Sequence, residues 1–502
     1  MSVPALTIAN HGTDSALRAW PRLCRAVTLA LFCVGAALCF PYLYTSFGLL
    51  PTALLSLAWT LSSVAARHAR RRRLRWSALA FSTALYAVSA YGAVVFTAVL
   101  GWSLPRWALV SITVATLAAG LTSLRGWPGL RVPVVLPLGL LIATVLSGWW
   151  REGSRVRCDD YLQVSRQSDV TVIVPSVREL ADCRAGAMLP LRRYPRQIWE
   201  SHDQQTIVFT TQAEPYPGET TNGLDGAVCA VRLGSDAAPQ CSGVGKGDGI
   251  VEMGPHGRLV AVSSGGEHNG SLYTLPLDRL FAESTLTSVH RAGSAIYDPA
   301  LDTLYVLGDD GRMIIPMRGA DMRASGEVAV PLPMLADYGR YDAGTHEGIL
   351  CGAAGPIGAF ANGGHPYLAV GFHGSPLALR PFGDSMLGWL AFSFGCDWDP
   401  ATRRAYVAIP NLGAVAELDY DSGRVVDFGR ADVGLRYLRF DPSRRRLYAA
   451  DFLRGSVVEL DADDKRELRR WFVGRFARDV HPTRDGRALL AASNLGVVRI
   501  SL

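Results

Sequence analysis

Near the C-terminus one local pattern recurs three times, and a pattern repeating at this period constrains the fold more tightly than anything else in the chain. The first copy reads Cys396-Asp-Trp-Asp-Pro-Ala-Thr-Arg-Arg-Ala-Tyr-Val-Ala. The second reads Leu438-Arg-Phe-Asp-Pro-Ser-Arg-Arg-Arg-Leu-Tyr-Ala-Ala, and the third Val480-His-Pro-Thr-Arg-Asp-Gly-Arg-Ala-Leu-Leu-Ala-Ala. Their prolines, Pro400, Pro442 and Pro482, are 42 and 40 residues apart. Fainter copies lie at Ile296–Pro316, with Asp298-Pro299, and at Met253–Leu277, with Gly254-Pro255. Each unit reads as a strand, a Pro-started turn, an alternating strand, a Gly-containing turn and further strand. Proline presets φ for turn position i+1, and glycine supplies the positive φ that a hairpin needs. Valine, tyrosine and leucine alternate with polar residues, as half-buried strands require.

Four short strands every 40–50 residues are the mark of a β-propeller blade. A β-sandwich does not repeat the same local sequence. Blade starts near 200, 250, 293, 347, 393, 435 and 478 give about seven four-stranded blades. The last has only three strands before the chain stops. Closure then needs an outer strand from the N-terminal side, and Asp169-Val-Thr-Val-Ile-Val-Pro175 is the segment expected to supply it. The motifs Arg404-Ala-Tyr-Val-Ala, Arg446-Leu-Tyr-Ala-Ala and Thr303-Leu-Tyr-Val-Leu resemble YVTN-type and NHL-type propeller repeats over about residues 200–502. That resemblance implies the fold and says little about function.

The first 150 residues have another character. They hold twelve arginines, no lysine and one acid, Asp14, a net of +11; the chain total of +6 leaves −5 for the rest. Residues 26–66 carry no charged side chain, and neither do 76–105, 107–124 and 132–150. One helix over 26–66 would be about 60 Å long, roughly twice the hydrocarbon thickness. A turn at Pro41–Ser46 divides it, so about five spans are expected. The arginines then set the topology: Arg67, Arg70, Arg71, Arg72, Arg73 and Arg75 lie in one loop and touch anionic lipid, and the positive-inside rule puts everything after Trp150 outside.

The expected fold class is therefore multi-domain, an N-terminal all-α transmembrane bundle of about five helices plus a C-terminal all-β propeller. The expected domains are a cytoplasmic segment 1–23, a transmembrane helical domain 24–150, a linker 151–200 with the closing strand, and the propeller 201–502. The expected location is multi-pass in an inner or cytoplasmic membrane, with the propeller on the periplasmic or extracellular side. Only two lysines, Lys246 and Lys465, against forty-eight arginines point to a GC-rich bacterial genome.

Six cysteines follow residue 150, and an even number in an exported domain suggests disulfides. Fifteen pairings are open; nearest neighbours give Cys158–Cys183, Cys229–Cys241 and Cys351–Cys396. No CxxC, nucleophile elbow, P-loop or HExxH appears in a suitable context.

Propellers bind ligands over the central channel through turns joining second and third strands. Here those turns are expected to present His268, Asn269, Asp309, Asp310, His373, Asn411, Asp451 and Asn494. Such groups suit a divalent metal in the channel, which needs three or four ligands within about 2.0–2.6 Å. Asn, Asp and Gly are also common in turns for conformational reasons alone. Two functions compete. One is a recognition or scaffold module whose face engages a protein, peptide or glycan. The other is a metal-dependent, lactonase-like hydrolase or lyase. No basic face with interleaved aromatics stands out, which argues against nucleic acid.

Overall fold

Short apolar-alternating strands broken by Asp-Pro and Gly turns form hairpins, and hairpins in series form four-stranded antiparallel sheets. The computed structural model of the protein describes residues 155–502, less 178–179, 181–182, 192–193, 202–203, 213–226, 234–238, 243–246, 254–257, 264–270, 277–284, 290–291, 293, 309–310, 320–328, 335, 337, 353–366, 375, 384–390, 392, 411 and 433. First come β1 (Arg155–Arg157), α1 (Cys158–Ser165), β2 (Val170–Pro175) and β3 (Met188–Pro190).

Six propeller blades of four consecutive strands follow. They are β4–β7 (Tyr194–Glu200, Thr206–Gln212, Ala227–Arg232, Gln240–Ser242) and β8–β11 (Gly247–Met253, Arg258–Ser263, Ser271–Pro276, Thr285–Ser288). Next are β12–β15 (Ser294–Asp298, Thr303–Gly308, Met313–Arg318, Val330–Pro331) and β16–β19 (Tyr338–Asp342, Glu347–Cys351, Ala369–Gly374, Leu377–Phe382). Then come β20–β23 (Gly395–Asp399, Arg404–Ile409, Ala414–Asp419, Val425–Arg430) and β24–β27 (Leu435–Asp441, Arg446–Asp451, Ser456–Asp461, Glu467–Phe472). The remaining four-stranded sheet is composite. Its strands β28 (Asp479–Pro482), β29 (Ala488–Ser493) and β30 (Gly496–Ser501) take β2 as their outer partner, with Val170 opposite Ile500 and Pro175 opposite Gly496. Where the sequence suggested about seven like blades, the sheets divide into six of consecutive strands and this composite one. The inner strands β4, β8, β12, β16, β20, β24 and β28 touch in that order, and β28 touches β4 again, so the ring is closed.

The segment carrying β2 is clasped in place. α1 turns Tyr161 and Val164 into a core shared with Trp471, Val498 and Ile500. Tyr161 Oη donates to the Leu495 carbonyl at 2.8 Å, and Trp471 Nε1 donates to Asp169 at 2.6 Å. Gln167 exchanges two hydrogen bonds with the Phe472 backbone.

The first turn of several blades is built alike. Asp298, Asp399 and Asp441 each accept the N–H two residues ahead, from Ala300, Ala401 and Ser443, at 2.8–3.0 Å. The chain then passes through a left-handed residue, Asp302, Arg403 or Arg445. Each aspartate thus holds the turn that its following proline starts.

All three disulfides form: Cys158–Cys183, Cys229–Cys241 and Cys351–Cys396. Cys229 and Cys241 face each other on β6 and β7 within one blade. Cys351 on β17 and Cys396 on β20 tie neighbouring blades across 45 residues, against 12 for Cys229–Cys241. Loop-closure entropy grows with that separation, so a Cys351→Ala/Cys396→Ala double variant is expected to lose about 4 kcal/mol and Cys229→Ala/Cys241→Ala about 3 kcal/mol. Urea unfolding of both, without reductant, measures the order.

Two expectations are corrected. In place of a helical bundle joined to a propeller, the described residues hold one α-helix, α1, of eight residues. Eight residues reach only about 12 Å, against roughly 30 Å of hydrocarbon. No helix among the described residues is long and apolar enough to cross a membrane, so the multi-pass location is not retained. The spans expected within 24–150, the segment 1–23 and the arginine loop Arg67–Arg75 lie outside the described residues.

Candidate functional site

The turns between second and third strands gather on one rim of the ring. His268, Asn269, Asp309, Asp310 and Asn411 fall in such connections by the strand bounds, and they lie outside the described residues. His373 does not belong to this rim. It sits in β18 opposite Glu347, the first residue of β17, and so at the other end of its blade. The sequence misled because the true β17–β18 connection is long, 352–368, and the Gly374 turn leads instead to β19.

Asp451 and Asn494 are on the expected rim but are used internally. Asp451 is fully buried and accepts from Arg454 N at 3.0 Å and Arg470 Nη1 at 3.2 Å. Burial pushes its carboxyl up, and Asp432, which also pairs with Arg470, adds to the push. Asn494 is 2% exposed; its N–H donates to Arg475 O at 3.0 Å, and its carbonyl accepts from Ser176 Oγ. Both serve the turns that carry them.

The turns themselves show a second feature. The repeats place a leucine at the same point three times, in Leu412-Gly413, Leu453-Arg454-Gly455 and Leu495-Gly496. Leu412 and Leu453 are 40% and 42% exposed, whereas Leu495 is fully buried. The difference has a visible cause: Tyr161 of α1 and Ser176, just past β2, cover the third turn, and Tyr161 Oη and Ser176 N both donate to Leu495 O. The Leu412 and Leu453 turns flank the same glycine. Gly434 N donates to Pro410 O at 2.9 Å, and a Cβ at Gly434 would lie 2.7 Å from Leu453 Cγ. The two leucines therefore present adjacent apolar points on one rim.

The channel wall is charged in a regular way that sequence reasoning missed. Counting two residues back from the residue that opens each first turn gives Arg340, Asp397, Arg439 and Asp479, on the successive inner strands β16, β20, β24 and β28. Arg439 Nη2 donates to Asp479 Oδ1 at 3.0 Å, and Arg340 lies 3.9 Å from Asp397. Each aspartate also binds the backbone of the next inner strand: Asp397 accepts Phe440 N at 2.9 Å, and Asp479 accepts Ile198 N at 3.0 Å. Arg439 stands 4.8 Å over the Tyr338 ring, which meets Tyr437 edge-on at 5.1 Å. Further along β24, Arg436 lies 4.7 Å over Phe394 and 4.9 Å over Phe452, and burial together with Arg478 pulls its guanidinium down to about 10.

His481 stands two residues past Asp479 on the same inner strand, with its ring 5.3 Å from that of Trp199. β28 is the third inner strand after β16, which carries Arg340. Burial, then the positive charges of Arg340, Arg439 and Arg484, hold the His481 imidazole well below the usual histidine range. Among the described residues no group of three or more His, Cys, Asp or Glu side chains is placed to hold a metal ion. No protein-family profile matches the chain, and no curated protein is similar to it in sequence.

Proposed function

We propose that this propeller is a recognition module that engages a peptide segment of a partner protein on the rim carrying Leu412 and Leu453. The observation that carries this reading is the contrast among three equivalent turns. The chain's own segment 161–176 covers the Leu495 turn, whereas Leu412 and Leu453 in its two counterparts are 40% and 42% exposed. A partner segment with an apolar face and a hydrogen-bond donor for the turn carbonyl would seat on them in the same manner. Aliphatic side chains clustered at exposed turns favour a protein surface over a glycan, since burying them supplies the driving force. The ring offers a stiff platform: Arg403 spans to Glu347 at 2.6 Å and Arg445 to Asp399 at 3.5 Å, each reaching the preceding blade. The three disulfides support folding in an oxidising compartment. The finer assignment to YVTN-type or NHL-type repeats rests on the Arg-x-Tyr and Leu-Tyr strand motifs.

The test is site-specific photocrosslinking in the native host. A crosslinker at 412 or 453 is expected to trap one protein species, and the same probe at Val426, an outer-strand residue 49% exposed, is not. With the probe at 412, Leu453→Glu is expected to weaken that crosslink strongly, and Leu412→Glu likewise with the probe at 453, with stability unchanged within about 0.5 kcal/mol, as for other exposed positions. Equal trapping at all three sites would remove the basis for this reading.

A further inference from the structure

Four buried polar atoms of the channel wall have no hydrogen-bond partner among the described residues: Tyr338 Oη, Arg340 Nε, Arg439 Nε and His481 Nδ1. Tyr338 and Arg439 are only 7% and 5% exposed. Buried polar atoms are almost always partnered, because an orphan forfeits its hydration without return. The four come from β16, β24 and β28: Arg340 and Arg439 both flank the Tyr338 ring, at 5.7 and 4.8 Å, and His481 stands two residues along β28 from Asp479, which Arg439 binds. The nearby carboxylates are already engaged. Asp397 holds two backbone N–H groups, those of Trp398 and Phe440, and Asp479 holds those of Ile198 and Val480 together with Arg439. Two of the open atoms, the guanidinium Nε–H groups, can only donate, while the phenol Oη and the imidazole Nδ1 take either role. Asp397 stands 3.9 Å from Arg340 Nε, beyond hydrogen-bond reach, so all four atoms are open to donate to one added acceptor group. The site is also within reach of solvent: the Arg340 and Asp397 side chains are 21% and 15% exposed.

We propose that the channel binds a small oxyanion, the phosphate or carboxylate group of a low-molecular-weight ligand, between Tyr338, Arg340, Arg439 and His481. Guanidinium groups match the planar or tetrahedral oxygens of such anions, and a phenol adds a directed donor. The site is separate from the leucine rim, so either can fail without the other.

Calorimetric titration of the full-length protein with sodium phosphate and, separately, with sodium acetate tests this, with sodium chloride at matched ionic strength as the baseline. One-to-one binding of phosphate or acetate is expected, and whichever binds tighter identifies the anionic group of the natural ligand. Tyr338→Phe keeps the ring contacts with Tyr437 and Arg439 and removes one donor, and it is expected to weaken binding at least about 10-fold, as loss of a hydrogen bond to a charged group does. Arg340→Gln is expected to weaken it further. Absence of binding by either anion, or affinities equal to the parent in both variants, would overturn the proposal and assign the open atoms to water.

Discussion

Gly496→Ala is expected to lower the stability of the propeller by at least about 3 kcal/mol, seen as a lower urea midpoint and a broadened transition. Gly496 begins β30 opposite Pro175, at the point where the ring is closed. Its φ is +121°, a conformation L-residues rarely adopt, and a Cβ there would lie 1.8 Å from Val174 O and 2.9 Å from Ser176 N. Those are backbone atoms of the closing segment, so relief requires β2 to move away from β30. Overpacking alone costs about 1–3 kcal/mol, and the backbone strain adds to it. Displacing β2 also loosens the core that α1 shares with Trp471, Val498 and Ile500. Gly186→Ala is the matching control. It too has positive φ, +78°, but nothing lies within 4 Å of its Cβ position, so only the left-handed penalty of about 1–2 kcal/mol applies. Equal losses in the two variants would show that the clash at the closure is relieved cheaply and that β2 is not held there.

The closing strand was legible because three strands at the chain's end leave one place open and 169–175 is an isolated apolar segment of the right length. The disulfides were legible for a related reason. Cysteines near in sequence fall on neighbouring strands of one blade, as Cys229 and Cys241 do, or on adjacent blades, as Cys351 and Cys396 do. Local pattern carries that much. α1 escaped because eight residues with only three buried apolar positions, Cys158, Tyr161 and Val164, beside the buried Asp160, give too short a helical period to stand out.

The site was harder to read because it is non-local. Turn composition directed attention to Asp451 and Asn494, but it could not show that Arg470 and Ser176 already engage them. His373 was assigned to the wrong rim because Gly374-Ser375 resembles a turn wherever it occurs, and only strand pairing distinguishes the two ends of a blade. The channel groups carry one faint signal in sequence. Asp397, Arg439 and Asp479 occupy the same place in the three clear repeats, three residues before the proline, and their charges alternate. Alternation at one register position across repeats means neighbouring strands present opposite charges to each other, which is how Arg439 meets Asp479. The gathering of Arg340 and Arg439 about the Tyr338 ring had no such signal, because it exists only once the blades pack side by side.

Arg439→Ala is expected to cost about 3–5 kcal/mol near neutral pH, the usual result of leaving one member of a buried ion pair behind. Arg439 and Asp479 are 5% and 1% exposed, so solvent cannot replace the lost guanidinium. The pH dependence separates charge from packing. Burial already pushes the Asp479 carboxyl up, with Arg439 the largest influence in the other direction, and removing Arg439 raises it further. A carboxyl raised in the folded state supports folding fully below its unfolded value, about 3.9, and that support is lost as pH rises through the folded value. The deficit of Arg439→Ala is therefore expected to be smaller near pH 4, where the raised carboxyl takes up a proton more readily, and to grow toward pH 8. A second substitution, Asp479→Asn, removes the stranded charge and is expected to recover part of the loss at pH 8 and little at pH 4. Unfolding of the parent, both single variants and the double variant at the two pH values measures the coupling. A deficit that is flat with pH and unrelieved by Asp479→Asn would assign the cost to the Tyr338 face that Arg439 covers, and the alternating charges of the inner strands would then be incidental to stability.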